Sequence, residues 1–175
     1  MDQFFFMTAV AVAVAAAVSD VSTRRIPNWL TYPALLAGLL LRFSFQGWSG
    51  LRSALLGMLV AGGIFILFYM IRAMGAGDVK LMAAVGCLAG SHWVVGILLA
   101  SAIAGGAMAV VLMISKGRVS VTLRRVLSVV AFHSTHGLKP HPEINLADQS
   151  ALRLPYGAAI ACGTAYVFVA ATAWR

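Results

Sequence analysis

The sequence predicts an all-α, polytopic integral membrane protein of about six transmembrane helices with its N-terminus outside. Three observations lead there. Of 175 residues, 61% are hydrophobic and only 10% charged, with mean hydropathy +0.92, whereas a soluble globular domain carries about 25% charged residues. Uncharged runs recur at lengths near the roughly 20 residues that cross a bilayer core. The basic residues gather in the short breaks between those runs. The high apolar content excludes disorder and collagen, and the two distant cysteines exclude a disulfide scaffold. A net charge of +8 on a soluble protein would suggest nucleic acid. Here its placement assigns it to topology and anionic lipid headgroups, with no nucleic-acid partner.

Gln3 to Ser19 is uncharged and forms the first span. It lacks the basic n-region of a signal peptide, having Asp2 in that place. Trp29 to Phe45 is the second, with Arg42 near one end where it can snorkel to the interface. Ser53 to Ile71 is the third. Leu81 to Ser115 runs 35 residues without an acid, lysine or arginine, too long for one comfortable helix. Gly90-Ser91-His92 supplies a turn inside it, giving spans at about 79–90 and 93–115. Leu154 to Trp174 closes the set.

Charge supports this count. With six spans and an outside N-terminus, ten of the basic residues fall inside and three (Arg42, Arg52, Arg175) outside, as the positive-inside rule requires. Merging the 81–115 run into one span would split them evenly. The chain reads as one membrane-embedded domain, 1–175, with an inner loop at 116–153. Val119 to Phe132 in that loop, apolar around Arg124 and Arg125, suits an amphipathic stretch on the headgroups. Cys87 and Cys162 lie within spans and read as small buried apolar residues.

Five acidic residues exist. Asp2, Glu143 and Asp148 read as solvated. Asp20 and Asp78 stand at the junctions of spans one and four, two crossings apart, and so on the same inner side. A carboxylate at the membrane edge is costly and is a functional candidate by default. Two such groups can share one proton, one acting as base on a water while the other protonates a carbonyl oxygen. The competing structural reading makes each a helix cap, with Asp78 pairing Lys80. Gly75-Ala76-Gly77 before Asp78 and Ile26-Pro27-Asn28 after Asp20 give the backbone freedom and a forced turn beside the acids. No H-E-x-x-H and no evident Ser or Cys nucleophile with a partner competes for the role.

Three stretches together resemble the type IV prepilin peptidases, the GxGD intramembrane aspartic proteases. They are Ser19-Asp20-Val21-Ser22-Thr23-Arg24-Arg25-Ile26-Pro27-Asn28, Gly75-Ala76-Gly77-Asp78-Val79-Lys80-Leu81, and Leu154-Pro155-Tyr156-Gly157. The resemblance implies that Asp20 and Asp78 are the catalytic pair. It also implies that Gly75, Gly77, Pro27 and Asn28 shape the site, with Lys80 in a supporting or headgroup-anchoring place. Pro155 and Gly157 would break or bend the last helix beside it. It implies no cofactor, a multi-pass place in the inner membrane, and prepilin or pseudopilin substrates cut at the cytoplasmic edge. The paired Cys-x-x-Cys region of larger members is missing between Asp20 and Asn28, so neither methyltransferase activity nor a zinc site is expected. This short form is similar to the peptidases of Flp-type pilus systems.

His133, His136 and His141 with Glu143 could be read as a metal site, but Pro140 and Pro142 and the lack of helical spacing favour a plain loop. Two rival functions remain: a proton- or cation-coupled transporter using both aspartates as relays, or a non-catalytic scaffold of a secretion or pilus assembly. Inverted repeats and mid-membrane carboxylates, which would mark the transporter, are not evident.

Overall fold

The computed structural model describes residues 2–117, single positions between 119 and 131, and residues 154–173. Every regular element among the described residues is a helix: α1 (Asp2–Thr23), α2 (Asn28–Met70), α3 (Ala76–Ala89), α4 (Val94–Ser115) and α5 (Tyr156–Ala173). Of these, α1, α2, α4 and α5 are long and apolar enough to cross a membrane. The chain is thus an all-α polytopic membrane protein.

At 43 residues, α2 would be about 64 Å long if straight. It is not. Gly47, with φ 62° and ψ −147°, interrupts it in a conformation that favours glycine. The chain folds back there, and both limbs lie on α3. Gly38 of the first limb faces Cys87 and Leu88, while Gly57 of the second lies against the Gly86 backbone. The limbs match the expected second and third spans, and the polar stretch between those spans is helical on either side of a one-residue break.

The core follows helical spacing. On α1 the buried residues Phe6, Ala9, Ala13 and Ala16 form one stripe, which continues to Asp20. It packs with Phe65 of α2, Leu81 and Val85 of α3, Ile97 of α4 and Ile160 of α5. Small residues set the helix spacing, as is usual where lipid gives no hydrophobic drive for association. Gly163 of α5, for example, lies directly on Ser101 of α4. The outward faces stay apolar, with Leu40, Leu59 and Ile103 all more than 60% exposed.

Two expectations need correcting. Arg42 does not snorkel: it is only 3% exposed and caps the end of α3. Its Nε and Nη2 donate to the Leu88 carbonyl at 3.2 and 2.9 Å, and Nη2 also donates to Ala89 at 3.0 Å. The last carbonyls of a helix lack intrahelical partners and carry partial negative charge, so a guanidinium serves them better than water does. Gln46 links this cap to Asp2, accepting from Arg42 Nη1 at 3.1 Å and donating to Asp2 Oδ1 at 2.9 Å. Cys162, expected inside, is exposed, whereas Cys87 is buried. The buried stripe of α5 runs Gly157, Ile160, Thr164, Val167, and Cys162 falls on the other side.

Part of the expected interfacial stretch is described and helical, at 119, 120, 124, 127–129 and 131. The remainder, with His133, His136, His141, Glu143 and Asp148, lies outside the described residues.

Candidate active site

The α1–α2 connection fixes the first acid. Beyond Asp20, Ser22 and Thr23 send their hydroxyls back to the carbonyls of Val18 and Ser19, at 2.7 and 2.8 Å. Arg24 then leaves the helix with φ 55°. Ser19 Oγ and Thr23 Oγ1 both donate to the Arg25 carbonyl, at 3.0 and 3.2 Å, tying down the turn. Pro27, at φ −73° and ψ 138°, starts α2, a position where its missing N–H costs nothing. Asp20 therefore sits one turn inside α1 on its buried face, only 8% exposed, not at a cap.

Asp78 occupies the first turn of α3. Its Oδ2 accepts the Gly75 N–H at 3.1 Å, so the carboxylate closes a capping interaction on its own helix. The structural and functional readings of Asp78 are thus not exclusive. Gly75 has ordinary extended dihedrals (φ −81°, ψ 153°). What it requires is space: a Cβ there would stand 3.3 Å from Asp78 Oδ2. Gly77 is filled from the α1–α2 turn, since its Cβ position lies 3.2 Å from Ile26 Cβ. The two motif turns of the sequence therefore pack on one another.

The last helix completes the group. Pro155 precedes α5 and neither it nor Gly157 bends the helix, contrary to expectation: α5 begins at Tyr156. A proline just outside a first turn starts a helix without disrupting it. Gly157 instead donates its N–H to Asp20 Oδ2 at 2.9 Å. A Cβ on Gly157 would lie 3.0 Å from that same oxygen. Each acid thus accepts from the backbone of a glycine at which a Cβ would crowd the carboxylate. Asp20 and Asp78 lie within electrostatic reach of each other, and Tyr156 within reach of Asp78.

Lys80 points to the start of α2, donating to Asn28 Oδ1 at 3.0 Å and lying 5.0 Å from the Tyr32 ring centroid. It forms no ion pair with Asp78; it braces α3 on α2. All nine residues expected at the site, Asp20, Pro27, Asn28, Gly75, Gly77, Asp78, Lys80, Pro155 and Gly157, gather at one end of the bundle. Three others belong with them: Ile26, Tyr32 and Tyr156. Ile26 and Tyr156 lie in the motif stretches, yet an apolar or aromatic residue in such a chain carries no mark of its own. No group of three or more His, Cys, Asp or Glu that could hold a metal occurs among the described residues.

A helical membrane protein with two carboxylates at the same end of the bundle, each held by a backbone amide, is one broad class. Within it, the chain belongs to the type IV leader peptidase family, whose model matches residues 7–110, more than half of the sequence. The matched stretch contains Asp20, the Ile26-Pro27-Asn28 turn and Asp78, and stops short of Tyr156 and Gly157. Two curated relatives, the prepilin leader peptidase/N-methyltransferases of Burkholderia pseudomallei strains 1026b and K96243, are each 34% identical over 109 residues. That alignment takes in 58% of this chain and 35% of each relative, so the chain spans well under half their length. No solved structure matches it.

Proposed function

We propose that this protein is an aspartic endopeptidase of the inner membrane that removes the short basic leader of type IV prepilins, Flp-like ones in particular. The reading is supported above all by Asp20 and Asp78, on helices far apart in sequence, lying at the same end of the bundle, each accepting from a backbone amide there. Family membership supports the substrate class. The Arg24, Arg25, Arg72 and Lys80 side chains belong to that same end of the sequence pattern, which makes it the cytoplasmic end by the positive-inside rule.

In the mechanism, one carboxylate is ionised and takes a proton from a bound water as that water attacks the scissile carbonyl carbon. The other, protonated, gives its proton to the carbonyl oxygen. The tetrahedral gem-diol collapses as the carboxyl that took the water's proton gives it to the amide nitrogen, the C–N bond breaks, and a gem-diol hydroxyl returns its proton to the other carboxylate. Backbone amides from Gly157 and Gly75 hold the two carboxylates without themselves exchanging protons. A scissile bond at the inner edge of a membrane helix needs catalytic groups at that depth, and a glycine there eases local unwinding of the substrate. A position at the bundle end gives no support to a mid-membrane relay. Methyl transfer is not part of the proposal.

The test is cleavage of purified prepilin by the detergent-purified chain. Wild type releases the leader; Asp20→Asn and Asp78→Asn each insert, fold and release none. Normal processing by either variant, or substrate flux across vesicles by the wild type, would overturn the proposal.

A further inference from the structure

Tyr156 is a polar side chain at the aspartate end to which the mechanism gives no task. Its ring is fixed from two sides. The Phe65 ring of α2 meets it edge-on at 5.9 Å between centroids and 62°. On the other side it lies on Gly105 of α4, where an added Cβ would stand 2.8 Å from the ring and 3.3 Å from the hydroxyl. Gly105 is thus the hollow that receives this ring. The side chain is half-buried, and its hydroxyl donates to none of the described residues, although a tyrosine O–H that leaves water normally finds a partner.

Its place relative to the acids is set by the backbone. The next residue, Gly157, donates to Asp20, so Tyr156 cannot move without moving that contact. A ring fixed by Phe65 and Gly105, whose hydroxyl has no partner among the described residues, therefore stands one residue from the Asp20 contact.

We infer that Tyr156 is a third catalytic residue, whose hydroxyl donates a hydrogen bond to the scissile carbonyl oxygen of the substrate. The inference rests on the peptidase reading above. The phenol keeps its proton throughout; proton transfer stays with the aspartates. What it supplies is a donor fixed in advance where negative charge grows as water attacks, the kind of group whose removal costs rate more than binding. It lies in the first turn of α5, outside the stretch matched by the family model.

Tyr156→Phe isolates the hydroxyl, since the ring still fills the Gly105 hollow and meets Phe65. Expected is a fall in kcat of roughly 10- to 100-fold with KM within about twofold, and an unchanged melting temperature in detergent. Prepilin affinity, measured on Asp20→Asn with and without the second substitution, should also stay the same. A Tyr156→Phe enzyme that cleaves at the wild-type rate overturns the inference while leaving the aspartate pair intact. A rate loss matched by a rise in KM or by loss of fold overturns it too, in favour of a packing role. If the wild type cleaves no prepilin, the peptidase reading itself has failed, which is a different result.

Discussion

The Gly157 amide donates 2.9 Å to Oδ2 of Asp20, joining the first turn of the last helix to the last turn of the first. A helix N-terminus carries partial positive charge on its unpaired amides, so α5 offers Asp20 both a donor and a favourable field. The same glycine is tightly packed, with an added Cβ standing 3.1 Å from Asp20 Cβ, so the neighbour would have to give way. Gly157→Ala should therefore push the carboxylate aside while keeping the donor. Expected is a loss of at least about tenfold in kcat with modest loss of stability, since misplacement of a reacting group by even about 1 Å is costly to rate. Single-turnover cleavage and thermal melting of the variant check it. Wild-type turnover would show that the contact does not set the position of Asp20.

The proposed acid–base division of labour between Asp20 and Asp78 predicts a pH signature. At low pH both carboxyls are protonated and no base remains; at high pH both are ionised and no acid remains. Cleavage should therefore rise and then fall as pH increases, with both limbs belonging to the pair rather than to either residue. The profile of kcat/KM on one prepilin, with folding followed in parallel, measures this. A rate that only rises to a plateau would mean that no protonated carboxyl is needed.

Arg42 allows a clean separation of stability from chemistry. It satisfies the Leu88 and Ala89 carbonyls at the end of the bundle remote from the aspartates; along α1 alone, Asp2 and Asp20 are about 27 Å apart. Arg42→Met leaves those buried carbonyls unpaired and should cost about 2–4 kcal/mol. Arg42→Lys should restore only part, because a single ammonium cannot reproduce the guanidinium fork. Cleavage per folded molecule should be unchanged. Denaturation in mixed micelles, with activity normalised to folded protein, tests both halves.

Much of this was legible in the sequence because burial in lipid leaves few choices. The uncharged runs gave five elements and the hairpin within α2, and the scarcity of acids made Asp20 and Asp78 conspicuous. Hidden from it were the relations that depend on which face a residue takes. Arg42 looked interfacial because it stands near a span end, but its depth is decided by the α3 terminus that needs it. Gly157 looked like a helix breaker, since nothing local says that its amide meets a carboxylate 137 residues away. Tyr156 was written in a motif and still silent: an aromatic side chain in an apolar protein acquires meaning only from its neighbours. Cys162 differs from Cys87 only in facing outward.

The glycines divide in the same way, and the division is testable. Gly57 and Gly86 lie backbone to backbone where the second limb of α2 crosses α3, and a Cβ on either would run into the other's main chain. Close backbone approach of this kind holds membrane helices together through packing alone. Gly63 and Gly106 have nothing within 4 Å of a Cβ. Gly57→Leu or Gly86→Leu should force α2 and α3 apart, costing at least about 2 kcal/mol, since overpacking against rigid backbone cannot relax by a change of rotamer. Because α3 carries Asp78, cleavage should fall with stability. Gly63→Ala and Gly106→Ala should instead leave cleavage unchanged and stabilise their helices by roughly 0.5–1 kcal/mol through reduced backbone freedom. Melting temperatures of the four variants in one detergent decide the matter. Equal tolerance at all four positions would mean that the α2–α3 crossing is looser than a glycine contact.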